Sequence, residues 1–254
     1  MHCFWIAALL TFATPCHGQL IHPNAHAHND YEHPRPLLDA WDNGFRSMEA
    51  DIHLVGDDLY VAHNHPKVSE KRTLQKLYLD PLDSLVRLEA AKKSPGSITL
   101  LIDIKTDASR TLQKLIEVLS KYPRLFPADP SHPVVRIVIS GNRDYALILK
   151  SNHVYIDGRP GDLGKGYSAN QMPLISDHYR NWMRWNGKGA PDASELEKIR
   201  TLAQRVHDEN KKLRLWAIPD NEVAWAVLLD AGVDLINTDR LEALSAYLNQ
   251  RDRN

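Results

Sequence analysis

Short apolar runs alternate along the chain with stretches whose apolar residues recur every three or four positions. The runs 25–29, 46–54, 98–105, 134–140, 153–157, 173–176, 213–218 and 235–237 read as strands, most of them rich in Ile, Leu and Val. The stretches 81–93, 108–121, 193–210, 222–231 and 241–248 carry the helical period. Strands that alternate with helices predict a parallel sheet with helices outside it. Eight of them within 254 residues predict a closed (β/α)8 TIM barrel rather than an open doubly wound sheet. The segment 162–171, DLGKGYSANQ, lacks the helical pattern, so the barrel is expected to be irregular after its fifth strand. Val55-Gly56-Asp57-Asp58 forms a turn signal, and 59–63 is expected to return as a hairpin beside 47–54.

The first eighteen residues break this pattern. Cys3 to Ala13 is an apolar run of the length of a signal-peptide core, and Pro15-Cys16-His17-Gly18 offers small residues ahead of Gln19. The expectation is a signal peptide over 1–18, one barrel domain over 19–254 and an exported product, periplasmic or secreted. Cys3 and Cys16, the chain's 2 cysteines, both lie in that segment, so the mature chain would hold no disulfide and no thiolate metal site. A net charge of −1 argues against nucleic acid as a partner.

Seven of the 13 histidines fall between His22 and His65, around an acidic pair in Ser-Met-Glu49-Ala-Asp51-Ile-His. Residues two apart on a strand share a face. Two carboxylates on one inward face repel each other and lose solvation unless a cation compensates. Oxygen ligands of this kind suit Mg²⁺ or Ca²⁺. Leu100–Lys105, LLIDIK, repeats the geometry. Asp103 and Lys105 share a face at the C-terminal end of their strand, where barrel enzymes place their chemistry. Asp103 can be a third carboxylate ligand, and Lys105 can neutralise phosphate charge. His28 follows the first strand and His63 ends the hairpin return. An imidazole pair suits the base and acid of phosphodiester cleavage, with His26 and His65 as competitors for the roles. Arg143 can bind phosphate or lie on the surface. Trp216 can wall the pocket or pack in the core, and Asn29 can add a metal or phosphate contact. Tyr179–Trp185, YRNWMRW, can pack over the barrel mouth or touch a membrane surface transiently.

These motifs resemble the glycerophosphodiester phosphodiesterase and phosphatidylinositol phospholipase C-like superfamily. Its pattern of a histidine after the first strand, Glu-x-Asp, a second histidine and acid-x-Lys appears here as His28, Glu49-Ala50-Asp51, His63 and Asp103-Ile104-Lys105. Trp216 and the closing segment Ala231 to Asp239, AGVDLINTD, match its C-terminal signature. His28-Asn-Asp-Tyr31 and Arg72-Thr-Leu with Asp80-Pro-Leu82 resemble a fungal and bacterial branch of it. The resemblance implies one divalent ion on Glu49, Asp51 and Asp103, with His28 and His63 as the acid and base. It also implies a small phosphodiester or phospholipid substrate, and attack by a neighbouring hydroxyl that yields a cyclic phosphate; the chain is expected to be a monomer. Asn29-Asp30 stands where glycerophosphodiesterases have Arg-Gly, and Asn64 where they have aspartate. Asp103 replaces glutamate.

Two other functions fit parts of the pattern. His26-Ala27-His28 is the H-x-H of zinc amidohydrolase-type barrels, although of the later histidines only His178 offers itself as a further ligand. A barrel that binds without turnover is the third reading, and the full set of carboxylates and histidines weighs against it.

Overall fold

The computed structural model describes residues 20–90, 98–127, 129 and 134–253. The expected signal peptide, with Cys3 and Cys16, lies outside the described residues. In chain order the elements are β1 (Ala25–Ala27), α1 (Leu38–Asp42), β2 (Ser47–Val55), β3 (Asp58–Val61), α2 (Asp80–Ala90), β4 (Ile98–Ile104), α3 (Ala108–Leu119) and β5 (Val135–Gly141). They continue with α4 (Tyr145–Ile148), β6 (Val154–Gly158), β7 (Leu174–His178), α5 (Ala193–Asp208), β8 (Lys212–Trp216), α6 (Glu222–Asp230), β9 (Leu235–Thr238) and α7 (Leu241–Arg251).

The parallel order β1-β9-β8-β7-β6-β5-β4-β2 is closed by the β1–β2 pairing, which makes an eight-stranded barrel. β3 is the ninth strand. It pairs antiparallel with β2 through Val55 and Asp58, so Gly56-Asp57 is the two-residue hairpin loop. Gly56 has φ +63°, which this turn requires and glycine supplies without strain. The expected strands are all present, with ends moved by one or two residues. The segment after β6 has one short turn of helix at Pro160–Asp162 and no longer helix before β7, as its sequence suggests.

Alternation sorts each strand into two faces. On β2, Met48, Ala50 and Ile52 are fully buried in the main apolar core, which packs the helices onto the barrel wall. Ser47, Glu49, Asp51 and His53 occupy the other face. On β4, Leu100, Ile102 and Ile104 join that core, while Thr99, Leu101 and Asp103 alternate with them. A smaller cluster of Leu101, Val138, Leu174 and Leu235 is a separate apolar layer. The strand termini beyond it carry polar side chains. Asp107, Asp144, Asp192 and Asn221 each accept a backbone N–H at the start of α3, α4, α5 and α6, which fixes where the helices begin.

Candidate active site

Register brings the acidic residues together. Asp51 on β2 pairs with Asp103 on β4, and Asp103 with Ser140 on β5, so the three sit at one height beside the C-terminal ends of their strands. Glu49, one inward position below Asp51, completes a group in which one carboxylate oxygen from each residue lies within 4.8 Å of the other two. The wall makes room for them through Gly141. A Cβ there would stand 1.9 Å from Asp103 Oδ1, and the residue has φ +64°.

Two cations serve these three carboxylates. Lys105 Nζ lies 3.0 Å from Asp51 Oδ2 and 3.0 Å from Asp103 Oδ2. Arg214 on β8 donates to Glu49 Oε2, and its Nε donates to Asn237 Oδ1 at 2.7 Å. Burial disfavours the Glu49 anion, but Arg214 and His26 overcome that and hold its pKa at about 2. Asp51 goes the other way. Burial, then the charges of Glu49 and Asp103, push it up to about 6 despite Lys105. Asp51 Oδ1 is buried with no hydrogen-bond partner among the described residues. A site short of positive charge, with an orphaned carboxylate oxygen facing two other carboxylates, fits a divalent cation.

His28 and His63 lie on the rim of the same cavity. Its volume is about 310 Å³, and Asn29, Lys105, Arg159, Arg214 and Trp216 also line it. His28 Nδ1 is 2.8 Å from Asp239 Oδ1. Burial lowers the basicity of His28, but the Asp239 hydrogen bond and the Glu49 charge outweigh it, so the net shift is upward. His63 Nδ1 lies 3.3 Å from Asp51 Oδ2 and 3.3 Å from the Tyr31 hydroxyl. In both rings Nδ1 is engaged, which leaves Nε2 for proton exchange. Asn29 has a left-handed backbone, φ 46°, with its Nδ2 3.2 Å from His28 Nδ1.

Tyr31 was not a sequence candidate, although it ends the His28–Tyr31 motif. Its buried hydroxyl lies 2.8 Å from Asp51 Oδ2 and 2.8 Å from Asn29 Oδ1. Burial and Asp51 raise its pKa well above the ordinary phenol, so it stays a donor. Arg159, Arg214 and Asp239 were also not singled out. For Arg214 the signal was its place between Leu213 and Leu215, a polar residue on the inward face of an apolar strand.

Arg143 is a correction. Its guanidinium donates to the Asp157 carbonyl and lies 5.6 Å from the Tyr145 ring centre, and it does not line the cavity. Arg159 lines it instead. Arg159 Nη1 bonds Asp157 Oδ2 at 2.8 Å, and its guanidinium sits 4.9 Å over Trp216. Trp216 therefore walls the cavity. The H-x-H zinc reading also fails geometrically. His26 is buried with Nδ1 2.8 Å from Ser47 Oγ and Nε2 3.4 Å from Glu49 Oε2, so both ring nitrogens are engaged within the barrel. His28 faces Asp239 instead. Among the described residues, the cluster of metal-ligating type is Glu49, Asp51 and Asp103, without either histidine. In the Tyr179–Trp185 loop, Tyr179 and Trp185 are buried, and Trp182 Nε1 donates to Asp177 Oδ2 at 2.8 Å. No helix among the described residues is long and apolar enough to cross a membrane.

The family model of the AIM6-like phosphodiesterase domain matches residues 16–157, and that of the glycerophosphoryl diester phosphodiesterase family matches residues 212–242. Altered inheritance of mitochondria protein 6 of Eremothecium gossypii is 27% identical over 87% of this chain and 68% of its own length. Its homolog in Arthroderma benhamiae is 24% identical over 87% of this chain and 82% of its own length. Among solved structures, a glycerophosphodiester phosphodiesterase from Parabacteroides distasonis aligns with TM-score 0.57 and 15% identity, over 90% of this chain and 98% of that one. A calcium-dependent phosphoinositol-specific phospholipase C from Pseudomonas sp. aligns with TM-score 0.57 and 16% identity, over 87% and 89%. At these identities the likeness shows the barrel fold.

Proposed function

The chain belongs to the AIM6-like phosphodiesterase family, and on that premise we propose that it is a divalent-metal-dependent phosphodiester hydrolase with a two-histidine mechanism. The observation that carries this reading is the cluster of Glu49, Asp51 and Asp103 between His28 and His63. Glu49, Asp51 and Asp103 would hold a Mg²⁺ or Ca²⁺ ion, which would supply Lewis-acid stabilisation of phosphoryl oxygens.

The chain's own groups supply the rest. Arg159 and Lys105 face the cavity as cations and would draw the two non-bridging oxygens of the diester. Trp216 offers its face to the apolar side of the substrate. His28, whose basicity Asp239 raises, would give a proton at Nε2 to the leaving alcohol oxygen as its bond to phosphorus breaks. His63 would take the proton of the attacking hydroxyl, from water or from the substrate, as the new P–O bond forms. Each positioned proton-transfer group is worth ~10²–10⁴-fold. The substrate class proposed is a glycerophosphodiester, phospholipid headgroup or related small diester.

A panel of such diesters, with bis-p-nitrophenyl phosphate as a generic member, tests this. Turnover should require Mg²⁺ or Ca²⁺, stop with EDTA, and fall by about 10²-fold or more in His28→Ala and His63→Ala. Metal-independent turnover, or turnover unchanged in both variants, would overturn the reading. We also propose export through the first eighteen residues. N-terminal sequencing of the protein recovered outside the cytoplasm should read from Gln19, and an intact Met1 there would contradict it.

A further inference from the structure

A second cavity, of about 510 Å³, opens at the other end of the barrel, among the N-terminal ends of the strands. That volume is within the ~300–1,000 Å³ usual for small-molecule sites. Its apolar lining includes Val138, Leu174 and Leu235, members of the inner apolar layer. Its charged lining is of one sign. Arg46, Arg136 and Lys212 line it, and no aspartate or glutamate does among the described residues.

Two of the lining residues carry a buried nitrogen that has no hydrogen-bond partner among the described residues: Arg136 Nε and His22 Nδ1. A buried donor without a partner is costly, more so on a charged group. Arg46 is anchored, with its guanidinium 3.7 Å over the Trp41 ring and Nη1 donating to the Phe45 carbonyl at 2.7 Å. The Arg136 guanidinium is flanked by the Tyr155 ring at 5.9 Å. Lys212 is exposed and sits beside Leu174 in the β7–β8 register. None of these residues takes part in the chemistry proposed above, which lies at the opposite strand ends.

We propose that this cavity binds an amphiphilic anion, with a carboxylate or phosphate-monoester head on Arg136 and an apolar body against Val138, Leu174 and Leu235. The one-sign lining rejects a cation. A neutral apolar guest would leave Arg136 Nε unpaired. A bare inorganic anion would leave the apolar lining uncovered. A head with an attached short chain answers both, and a charge-assisted hydrogen bond is roughly twice as strong as a neutral one.

Calorimetric titration of the purified full chain with octanoate, octyl phosphate, 1-octanol and inorganic phosphate tests this. At least one octyl anion should bind at a single site, about tenfold or more tighter than 1-octanol and inorganic phosphate. The two octyl anions tell a fatty carboxylate from an alkyl phosphate. Arg136→Met should remove that preference, Lys212→Met should weaken it several-fold, and Glu49→Gln should leave it unchanged. Equal binding of 1-octanol, no binding, or binding untouched by both cavity variants would overturn the proposal. So would loss of binding in Glu49→Gln, which would place the ligand in the catalytic cavity. Should Arg136→Met fail to fold by circular dichroism, the exposed Lys212 position decides.

Discussion

Asp239 sets the proton affinity of His28, and the consequence can be followed in pH. The folded protein raises the His28 pKa, chiefly through the Asp239 hydrogen bond acting against burial. A raised histidine pKa means that the contact's stabilisation is complete below the unfolded value of about 6.5, and is lost as pH rises through the folded value. Asp239→Asn should lower the His28 pKa, readable as an earlier imidazole titration by NMR. The alkaline limb of kcat/KM should move to lower pH with it. A profile that stays in place would separate His28 from the acid role. Tyr31 invites a second substitution. Its ring is buried, and its hydroxyl lies against Asp51, Asn29 and His63. Tyr31→Phe should fold normally and lose kcat by about tenfold or more with little change in KM, because orientation and not binding is removed. A change in KM alone would assign the phenol to substrate binding. Arg143 and Arg159 show where residue-level reading stops. Both follow a strand end, after Asn142 and Gly158. Only the path of each side chain decides that one donates to a backbone carbonyl while the other stacks on Trp216.

At the level of elements the strands were legible because alternation and closure are coupled. A barrel strand must show an apolar face to its helices, so Met48, Ala50 and Ile52 mark β2, and Leu100, Ile102 and Ile104 mark β4. The residues between them then face inward, which is why Glu49, Asp51 and Asp103 are legible in the sequence as one site. The short α1 and α4 were not legible. Five and four residues carry too little period to register. Partners across the barrel were not legible either. Glu49 and Arg214 are 165 positions apart, and only closure of the sheet brings them together. Gly141 shows how an element end protects the site. Any Cβ there meets Asp103, and φ +64° adds backbone strain of roughly 1–2 kcal/mol. Gly141→Ala should lower thermal stability modestly and lower activity far more, with metal affinity reduced, since Asp103 must move. Intact metal binding and activity in a destabilised Gly141→Ala would show that Asp103 is not a ligand.

For the whole molecule the acidic cluster makes stability and metal binding one equilibrium. Glu49, Asp51 and Asp103 come from two strands, and an unfolded chain does not hold them within 4.8 Å. An ion that binds only the folded state adds RT ln(1 + [L]/Kd), about 2.7 kcal/mol at a hundredfold excess over Kd. For a domain of this size each kcal/mol moves Tm by about 2–4 °C, so saturating Ca²⁺ or Mg²⁺ should raise Tm by roughly 5–10 °C. Below pH 6 the effect should shrink, because Asp51 titrates at about 6 and its proton competes with the ion. Asp51→Asn should abolish the metal-dependent rise. It should also raise the Tm of the metal-free protein at pH 7, because it removes a buried carboxylate that Lys105 does not fully compensate. Differential scanning calorimetry of both proteins, with ion and with EDTA, reads both effects. An equal rise in the two would locate the stabilising ion elsewhere. A rise in neither, with activity still sensitive to EDTA, would mean that the ion enters with the substrate rather than residing on the folded chain.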